Sequence, residues 1–287
     1  MAILEVKNLT YTYGTDAFFI KDAVSNVSFS IDEGEIVGII GHTGSGKSTL
    51  VQHLNGLLKP TTGEIFIEDN NIWDNPKEIR KIRSKVGLVF QYPEYQLFEE
   101  TVFSDIAFGP KNMGIQGEEL EKRVIETCEI IGVKKEYLQK SPFDLSGGEK
   151  RRVAIAGVMA MRPKIIVFDE PTAGLDPKGR QDIMEIIYNY RKATKATVII
   201  ISHSMEDMAV LADKLLVMNK GALAMFDTTE NVFKNGDKLR EMGLNVPIVT
   251  RVFDILRQKG INVPDDVFTV ERAVEVLKKL KDGERNA

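Results

Sequence analysis

The sequence has very little cysteine. Its 287 residues include a single one, Cys128. A disulfide within the chain needs two cysteines and a cysteine-based zinc site needs several, so both are excluded. Cys128 falls among apolar residues at helical spacing, such as Val124 and Ile131. We therefore expect a core position for it rather than a role as a reactive thiol.

Long apolar runs and a large excess of one charge are also missing. Apolar runs such as residues 198–201 are far shorter than the roughly 20 residues that span a bilayer. The formal net charge of −4 gives no overall basic character for binding nucleic acid. The first residues show no signal-peptide pattern. These absences predict a soluble, cytoplasmic protein, any membrane role of which depends on a partner.

The apolar pattern that is present predicts strands alternating with helices. Residues 3–13 and 24–31 alternate as strands do, with a polar loop between them. The short, fully apolar run 36–40 is typical of a strand inside a parallel sheet, and two similar strands are predicted at 164–168 and 197–201. Helices are predicted at 48–57, 117–132 and 147–161. This order predicts an α/β fold with a central, mostly parallel sheet.

The character of the chain changes at about residue 230. Residues 247–260 place Ile248, Val252 and Leu256 on one helical face. Residues 269–281 do the same with Val270, Ala273, Val274, Leu277 and Leu280. We therefore divide the chain into a domain at 1–229 and a helical region at 230–287. The apolar faces of that region either pack on their own domain or contact another subunit.

Residues 41–48, GHTGSGKS, fit the phosphate-loop pattern G-x-x-x-x-G-K-[ST] in full, between a strand and a helix. The glycines let backbone N–H groups turn around a phosphate, and the helix N-terminus points its positive end at the same place. Lys47 supplies a charge for the β- and γ-phosphates, and the Ser48 hydroxyl is a Mg²⁺ ligand. The residues expected to bind ATP here are Gly41, His42, Thr43, Gly44, Ser45, Gly46, Lys47, Ser48 and Thr49.

Two acids end the apolar run at 165–168, namely Asp169 and Glu170. Open α/β sheets bind ligands at the carboxyl ends of their strands, so both acids are expected beside the phosphate loop. Asp169 suits a position near Mg²⁺. Glu170 suits a general base that polarises the attacking water.

A phosphate loop does not by itself distinguish kinases, GTPases, helicases and transport ATPases. Residues 145–149, LSGGE, lie between the two nucleotide motifs and open a helix. They resemble the signature of the ABC ATPase superfamily. Ser146 is a good helix N-cap, and the glycines leave N–H groups open to a phosphate. The resemblance spans roughly residues 3–225 and implies an ABC-type cassette with an antiparallel β portion and a helical subdomain at about 92–162.

The remaining ABC motifs follow in order, and their roles are those that the resemblance implies. Gln91 matches the Q-loop glutamine, a contact of Mg²⁺ and water. Residues 173–176 match the D-loop, and His203 matches the switch histidine that contacts the γ-phosphate. Tyr13 matches the aromatic residue that stacks on adenine, with Tyr11 on the same strand as the second choice.

The resemblance also implies a head-to-tail pair of cassettes, with ATP held between one subunit's phosphate loop and the other subunit's signature. Ser146 and Gly148 would then contact the ATP of the partner. One departure is small: Glu149 stands where many ABC proteins have glutamine.

Residues 91–114, QYPEYQLFEETVFSDIAFGPKNMG, resemble energy-coupling factor (ECF) importers and their cobalt-transport relatives, most of all the second A-type ATPase. The resemblance implies a second A-type ATPase as partner, with a homodimer as the alternative. It also implies an integral membrane T subunit and a substrate-binding membrane S subunit, which take up vitamins or transition-metal ions. The chain would then lie at the cytoplasmic face of the cell membrane as a peripheral subunit, and no nucleic-acid partner is expected.

Two other functions remain open at this point. The chain could serve another class of ABC importer. A DNA-repair type of ABC ATPase is the second alternative, but such proteins carry long coiled coils or zinc modules between the nucleotide motifs. The insert between Ser48 and Asp169 is short here.

The aromatic and acidic segment at 92–110 predicts a docking site for the T subunit. Leu97 and Phe98 are expected to form an exposed apolar edge, whereas Phe103 and Phe108 are expected in the core. Glu99 and Glu100 would then lie near arginines of the T subunit.

Overall fold

The computed structural model describes residues 2–14 and 21–284. Strands and helices alternate along the chain, as the apolar pattern predicts. The strands are β1 (Ala2–Tyr13), β2 (Lys21–Asp32), β3 (Ile36–Ile40), β4 (Thr62–Ile67), β5 (Asn70–Asn71), β6 (Val86–Val89), β7 (Ile165–Asp169), β8 (Thr197–Ile201), β9 (Lys214–Asn219) and β10 (Ala222–Thr228). The helices are α1 (Lys47–Leu54), α2 (Ile79–Lys85), α3 (Val102–Asn112), α4 (Gly117–Ile131), α5 (Gly147–Met159), α6 (Pro177–Thr194), α7 (Met205–Leu211), α8 (Thr229–Lys234), α9 (Gly236–Glu241), α10 (Ile248–Gln258) and α11 (Val270–Glu284).

The central sheet has the strand order β10-β9-β3-β8-β7-β6. All neighbouring pairs are parallel except β9 with β10. Alternate side chains of β3 enter two different hydrophobic clusters, Ile36 and Ile40 in one, Val37 and Ile39 in the other. Because both faces of these strands are covered, their sequences are mostly apolar. The predicted central, mostly parallel sheet is confirmed.

A second, antiparallel sheet covers one face of the central sheet. Its strand order is β2-β1-β4-β5. Its inward residues share a cluster with α1 and with alternate residues of the central strands. The helix α1 ends at Leu54 rather than at residue 57, because Gly56 has left the helical conformation with a φ of +69°.

Helices cover the opposite face. Residues of α3, α4, α5 and α6 pack in one cluster with Ile166 and Phe168 of β7. Cys128 of α4 is buried in that cluster, where burial raises the pKa of its thiol to about 11. A thiol in this state is protonated at neutral pH, as a core role requires.

The C-terminal helices differ in part from the sequence prediction. Val232 and Phe233 of α8 belong to the same cluster as the central strands. α10 and α11 build a smaller core around Phe253, and their predicted apolar stripes only partly enter it. Ile248, Val252, Val270, Val274 and Leu277 are 43–65% exposed. The division at residue 229 stays a prediction, as does the helical subdomain at about 92–162.

None of the helices in the described parts of the chain is both long and apolar enough to cross a membrane.

Candidate nucleotide-binding site

The phosphate loop connects the end of β3 to the start of α1. Gly46 has a φ of +98°, and a Cβ there would collide with the carbonyl oxygen of Ala23. A Cβ at Gly41 would meet the Met218 carbonyl oxygen in the same way. Packing against neighbouring backbone therefore requires glycine at both positions. In this conformation the N–H groups of the loop can bind an anion.

Lys47 lies at the first position of α1 with its side chain folded back over the loop. Its Nζ donates to the carbonyl oxygens of Gly41 at 2.7 Å and His42 at 3.0 Å. Burial lowers the pKa of Lys47, while the charges of Glu170 and Asp169 oppose that shift. A partly desolvated ammonium at this place attracts phosphate oxygens more strongly than an exposed one would.

Ser48 and Asp169 meet across the site. The Ser48 hydroxyl donates to Oδ1 of Asp169 at 3.3 Å, although the two residues lie far apart in sequence. Asp169 ends β7, and burial raises the pKa of its carboxyl. Two oxygen donors beside a phosphate loop fit Mg²⁺, which usually takes one or two protein oxygens together with phosphate oxygens and water.

Glu170 is held by the two other predicted hydrolytic residues. His203 Nε2 lies 2.8 Å from Oε1 of Glu170, and Gln91 Nε2 donates to Oε2 at 3.2 Å. Glu170 has a φ of +51°, which is uncommon for a residue with a side chain. Its backbone N–H donates to the carbonyl oxygen of Ile201 at 3.1 Å. The fold thus holds the Glu170 carboxylate between an amide and an imidazole on a strained backbone, as is common at functional sites.

Tyr13 reaches the phosphate loop from the antiparallel sheet. Its hydroxyl lies 3.3 Å from Oγ1 of Thr49, and 43% of the residue is exposed. Tyr11 packs edge-on against Tyr13 with ring centroids 4.9 Å apart, and on its other side against the buried His53. Tyr13 therefore offers an exposed ring for stacking, whereas Tyr11 packs against that ring and helps to hold it in place.

The signature segment is exposed at the start of α5. Ser146 caps the helix: Glu149 N donates to its Oγ at 3.4 Å, and Oε2 of Glu149 accepts from Ser146 N at 2.9 Å and from its hydroxyl at 2.7 Å. These bonds hold the pKa of Glu149 at about 2. Apart from its chain neighbours and the backbone of its own helix, a Cβ built on Gly147 or Gly148 would have no atom of the described residues within 4 Å. The helix N-terminus can therefore be approached closely by another molecule.

The structure thus brings five of the predicted residues together in two contact groups. Ser48 and Asp169 form one, and Gln91, Glu170 and His203 form the other. Ser146 and Gly148 instead line a separate cleft with residues such as Gly132 and Tyr137, and no phosphate-loop residue lines it.

The sequence prediction missed two charged residues. Arg151 lies in a Lys-Arg-Arg run that reads as a solvated surface, yet it is only 3% exposed. Asp105 reads as one of several acids between aromatic residues, yet it is 8% exposed. Periodicity could have indicated Asp105, because it lies three residues after the buried Val102 and so on the same face of the helix. Nothing in the local sequence marks Arg151.

Both the sequence and the fold of this chain are similar to those of known proteins. The ABC transporter family model matches residues 24–173. The energy-coupling factor transporter ATP-binding protein EcfA2 of Caldanaerobacter subterraneus subsp. tengcongensis is 52% identical over 283 residues, which cover 99% of each chain. The protein of the same name from Clostridium acetobutylicum is 52% identical, covering 98% of this chain and 99% of that protein.

The chain belongs to the energy-coupling factor family of ABC transporter ATPases.

Solved structures agree with this membership. The ATPase cbiO1 of Clostridium perfringens, part of the ABC transporter complex cbiONQ, superimposes with a TM-score of 0.75 at 36% identity, covering 88% of this chain and 99% of that one. A dimeric bacterial ABC transporter cassette gives a TM-score of 0.71 at 32% identity, covering 79% and 98%. The predicted ABC fold is confirmed, and the chain is an ATP-binding, ATP-hydrolysing subunit of the ECF type.

Proposed function

We propose that this ATPase powers an ECF-type importer of vitamins or transition-metal ions, with MgATP bound on residues 41–49. The observation that carries the proposal is the convergence of Gln91, Glu170 and His203 next to the phosphate loop. Mg²⁺, when bound, would neutralise phosphate charge beside Ser48 and Asp169. The adenine would stack on the exposed ring of Tyr13.

Glu170 is proposed as the general base. Its carboxylate takes the proton of the attacking water, Gln91 orients that water, and His203 donates to the γ-phosphate. The φ of +51° at Glu170 supports the role, because strained residues cluster where geometry serves a reaction. Gln91, Glu170 and His203 hold one another in position, which reduces the reorganisation that the reaction needs.

The site is proposed to be completed by a second ATPase. Ser146 and Gly148 line a cleft without the phosphate loop, so they are available to the nucleotide of a partner rather than to that of the same chain. The similarity to a dimeric cassette supports this arrangement. A homologous A-type subunit is the proposed partner, and a pair of identical chains is the alternative. Co-expression of two differently tagged ATPases distinguishes them.

The exposed face of α10 and α11 is proposed as a further contact between the two ATPases. Its residues are apolar and 43–65% exposed: Ile248, Val252, Ile255, Val270, Val274 and Leu277. Apolar side chains grouped in this way on a surface usually mark a contact with another protein.

A cleft of about 860 Å³ is the proposed docking site for the membrane T subunit. Phe98 and Phe108 lie at this cleft, 59% and 42% exposed, with their rings packed edge-to-face at 4.9 Å. Two details of the sequence prediction were wrong. Phe108 is not a core residue, since its ring pairs with Phe98 at the cleft. Leu97 is 9% exposed and packs in the core cluster instead of forming the exposed edge.

Asp105, one of the acids of the predicted docking segment, lines this cleft and is 8% exposed, a burial that the prediction did not include. Its Oδ1 accepts from Phe98 N at 3.3 Å, whereas its buried Oδ2 has no hydrogen-bond partner among the described residues. Burial raises the pKa of this carboxyl. A buried carboxylate oxygen without a donor is costly, and a cationic side chain of the partner would remove that cost. Docking at this cleft would hold the ATPase at the cytoplasmic face of the membrane.

Co-purification with an integral membrane T-type subunit tests the proposal. Asp105→Asn and the double variant Glu99→Lys/Glu100→Lys should weaken the complex yet leave ATP binding intact. The matched control is Glu118→Lys/Glu119→Lys, which alters exposed acids of α4 away from the cleft. Failure of the parent chain to retain any T-type subunit would favour another importer class. Equal retention by all variants would place docking elsewhere.

A further inference from the structure

Arg151 lies in the first turns of α5, close to the exposed signature that opens that helix. Its side chain is nevertheless 3% exposed. An arginine is almost never buried to this degree unless every part of its charge is paired. The partners of Arg151 therefore indicate what the residue does.

The guanidinium group connects two separate segments. Nε and Nη2 donate to the two carboxylate oxygens of Glu94 at 2.9 and 2.7 Å. Nη1 donates to the carbonyl oxygens of Ala173 at 2.8 Å and Pro171 at 3.4 Å. The first pair is the bidentate geometry that gives arginine–carboxylate contacts their strength and direction.

Both segments lead directly to the hydrolytic residues. Glu94 lies in the short helical turn Pro93–Gln96, which follows Gln91. Pro171 and Ala173 follow Glu170, and Ala173 N donates back to the Glu170 carbonyl oxygen at 3.1 Å. Arg151 therefore holds together the two loops whose side chains meet at the 3.2 Å contact between Gln91 and Glu170.

Tyr92 strengthens the same junction. Arg151 lies over its ring at 5.6 Å from the centroid, and Tyr92 has a φ of +55°. The ring lies beside Gly174, where a Cβ would come within 3.4 Å of it. The stacking of a guanidinium on an aromatic ring adds to the ion pair and restricts its orientation.

We propose that Arg151 is a positioning residue that sets Gln91 against Glu170 and couples α5 to hydrolysis. The inference rests on the proposed roles of Glu170 and of the signature. The signature opens α5 and is proposed to bind the ATP of the partner subunit. Through Arg151, the position of Glu170 in this chain therefore responds to whether that ATP is bound. A displacement of α5 moves both loops, because one side chain holds them.

The test compares steady-state ATP hydrolysis by full-length chains in their purified ATPase pair. Arg151→Met should lower kcat by about 10- to 100-fold, since misplacement of catalytic groups by about 1 Å costs rate on that scale. The KM for ATP should change by less than about 3-fold, because no binding contact is removed. Arg162→Met is the matched control, because Arg162 is a half-exposed arginine paired with Glu126 outside the site. It should retain the parental kcat and KM.

Two further variants keep the test decisive if Arg151→Met folds poorly. Arg151→Lys retains the positive charge but cannot make the bidentate contact with Glu94, so its kcat should lie between those of the parent and Arg151→Met. Glu94→Gln should lower kcat as Arg151→Met does, and the double variant should be no slower than the slower single one. Parental kcat in folded Arg151→Lys and Glu94→Gln, or losses that multiply in the double variant, would overturn the inference.

Glu170→Gln, measured alongside, separates this inference from the proposed function. Rapid hydrolysis by Glu170→Gln would remove the proposed base, and the role of Arg151 with it. An inactive Glu170→Gln with fully active Arg151 variants would overturn the role of Arg151 alone.

Discussion

Replacing Glu170 by glutamine removes the proposed base with little change of shape. The amide oxygen can still accept from Gln91, which lies 3.2 Å from the carboxylate, and the amide nitrogen can face His203, which lies 2.8 Å away. Among the described residues, Glu170 makes no hydrogen bond to the phosphate loop and acts on Lys47 only through its charge. ATP binding should therefore be retained, whereas the proton of the attacking water loses its acceptor.

A positioned general base contributes about 10²–10⁴ in rate. At about 1.4 kcal/mol per tenfold change, the substitution should raise the barrier by roughly 3–6 kcal/mol. Release of inorganic phosphate from saturating ATP measures kcat, and a nucleotide titration measures affinity on the same sample. We expect affinity within about threefold of the parent, because only the step after binding is affected. The variant should also accumulate as an ATP-bound pair.

Glu185→Gln is the matched control, because Glu185 is an exposed glutamate of α6 outside the site. It should hydrolyse ATP at the parental rate. A Glu170→Gln pair with a kcat within about threefold of the parent would refute the assignment, since a base cannot contribute so little. Loss of ATP affinity without loss of kcat would refute it as well.

Three further predictions concern binding, association and pH. Lys47→Ala should weaken ATP binding by at least about tenfold, because it removes a charge-assisted contact worth about 1.5–3 kcal/mol; equal titration curves would contradict this. Val252→Glu/Leu277→Glu should weaken pairing in sedimentation without lowering the unfolding temperature. Val210→Glu, at an exposed valine of α7, should change neither the pairing nor the unfolding temperature. Glu149, with a folded pKa of about 2 against an ordinary 4.5, should stabilise the fold above pH 4.5 and lose that contribution as the pH falls towards 2. The urea midpoint of Glu149→Gln should therefore fall less steeply with decreasing pH than that of the parent. Identical slopes of midpoint against pH would contradict a stabilising role for the Ser146–Glu149 cap.

The sequence predicted those features that local physics determines. Uninterrupted apolar runs such as residues 197–201 indicated strands covered on both faces, and β8 has those bounds. The phosphate loop could be identified from the sequence because the pattern G-x-x-x-x-G-K-[ST] between a strand and a helix is specific to phosphate binding. The signature and the switch histidine were found by resemblance, and in the structure His203 contacts Glu170.

Features that depend on distant parts of the chain were not predictable in the same way. Arg151 is buried because Glu94 and two carbonyl groups from another loop surround it, and no local pattern reveals those acceptors. Phe108 looked like a core residue because it is aromatic and helical, but the fold places it against Phe98 at a cleft. The helical stripe of α10 was predicted correctly as apolar, yet the sequence could not show which of its residues would face Phe253.

The central claim is that ATP hydrolysis by this chain drives import through a membrane partner. The direct measurement is uptake of labelled vitamins and transition-metal ions by vesicles that contain the assembled complex, with MgATP supplied on the ATPase side. The account predicts accumulation of one such substrate with the parental chain and none with Glu170→Gln, although both bind ATP. Accumulation at the parental rate with Glu170→Gln, or hydrolysis by a complete complex with no uptake of any member of either class, would contradict it.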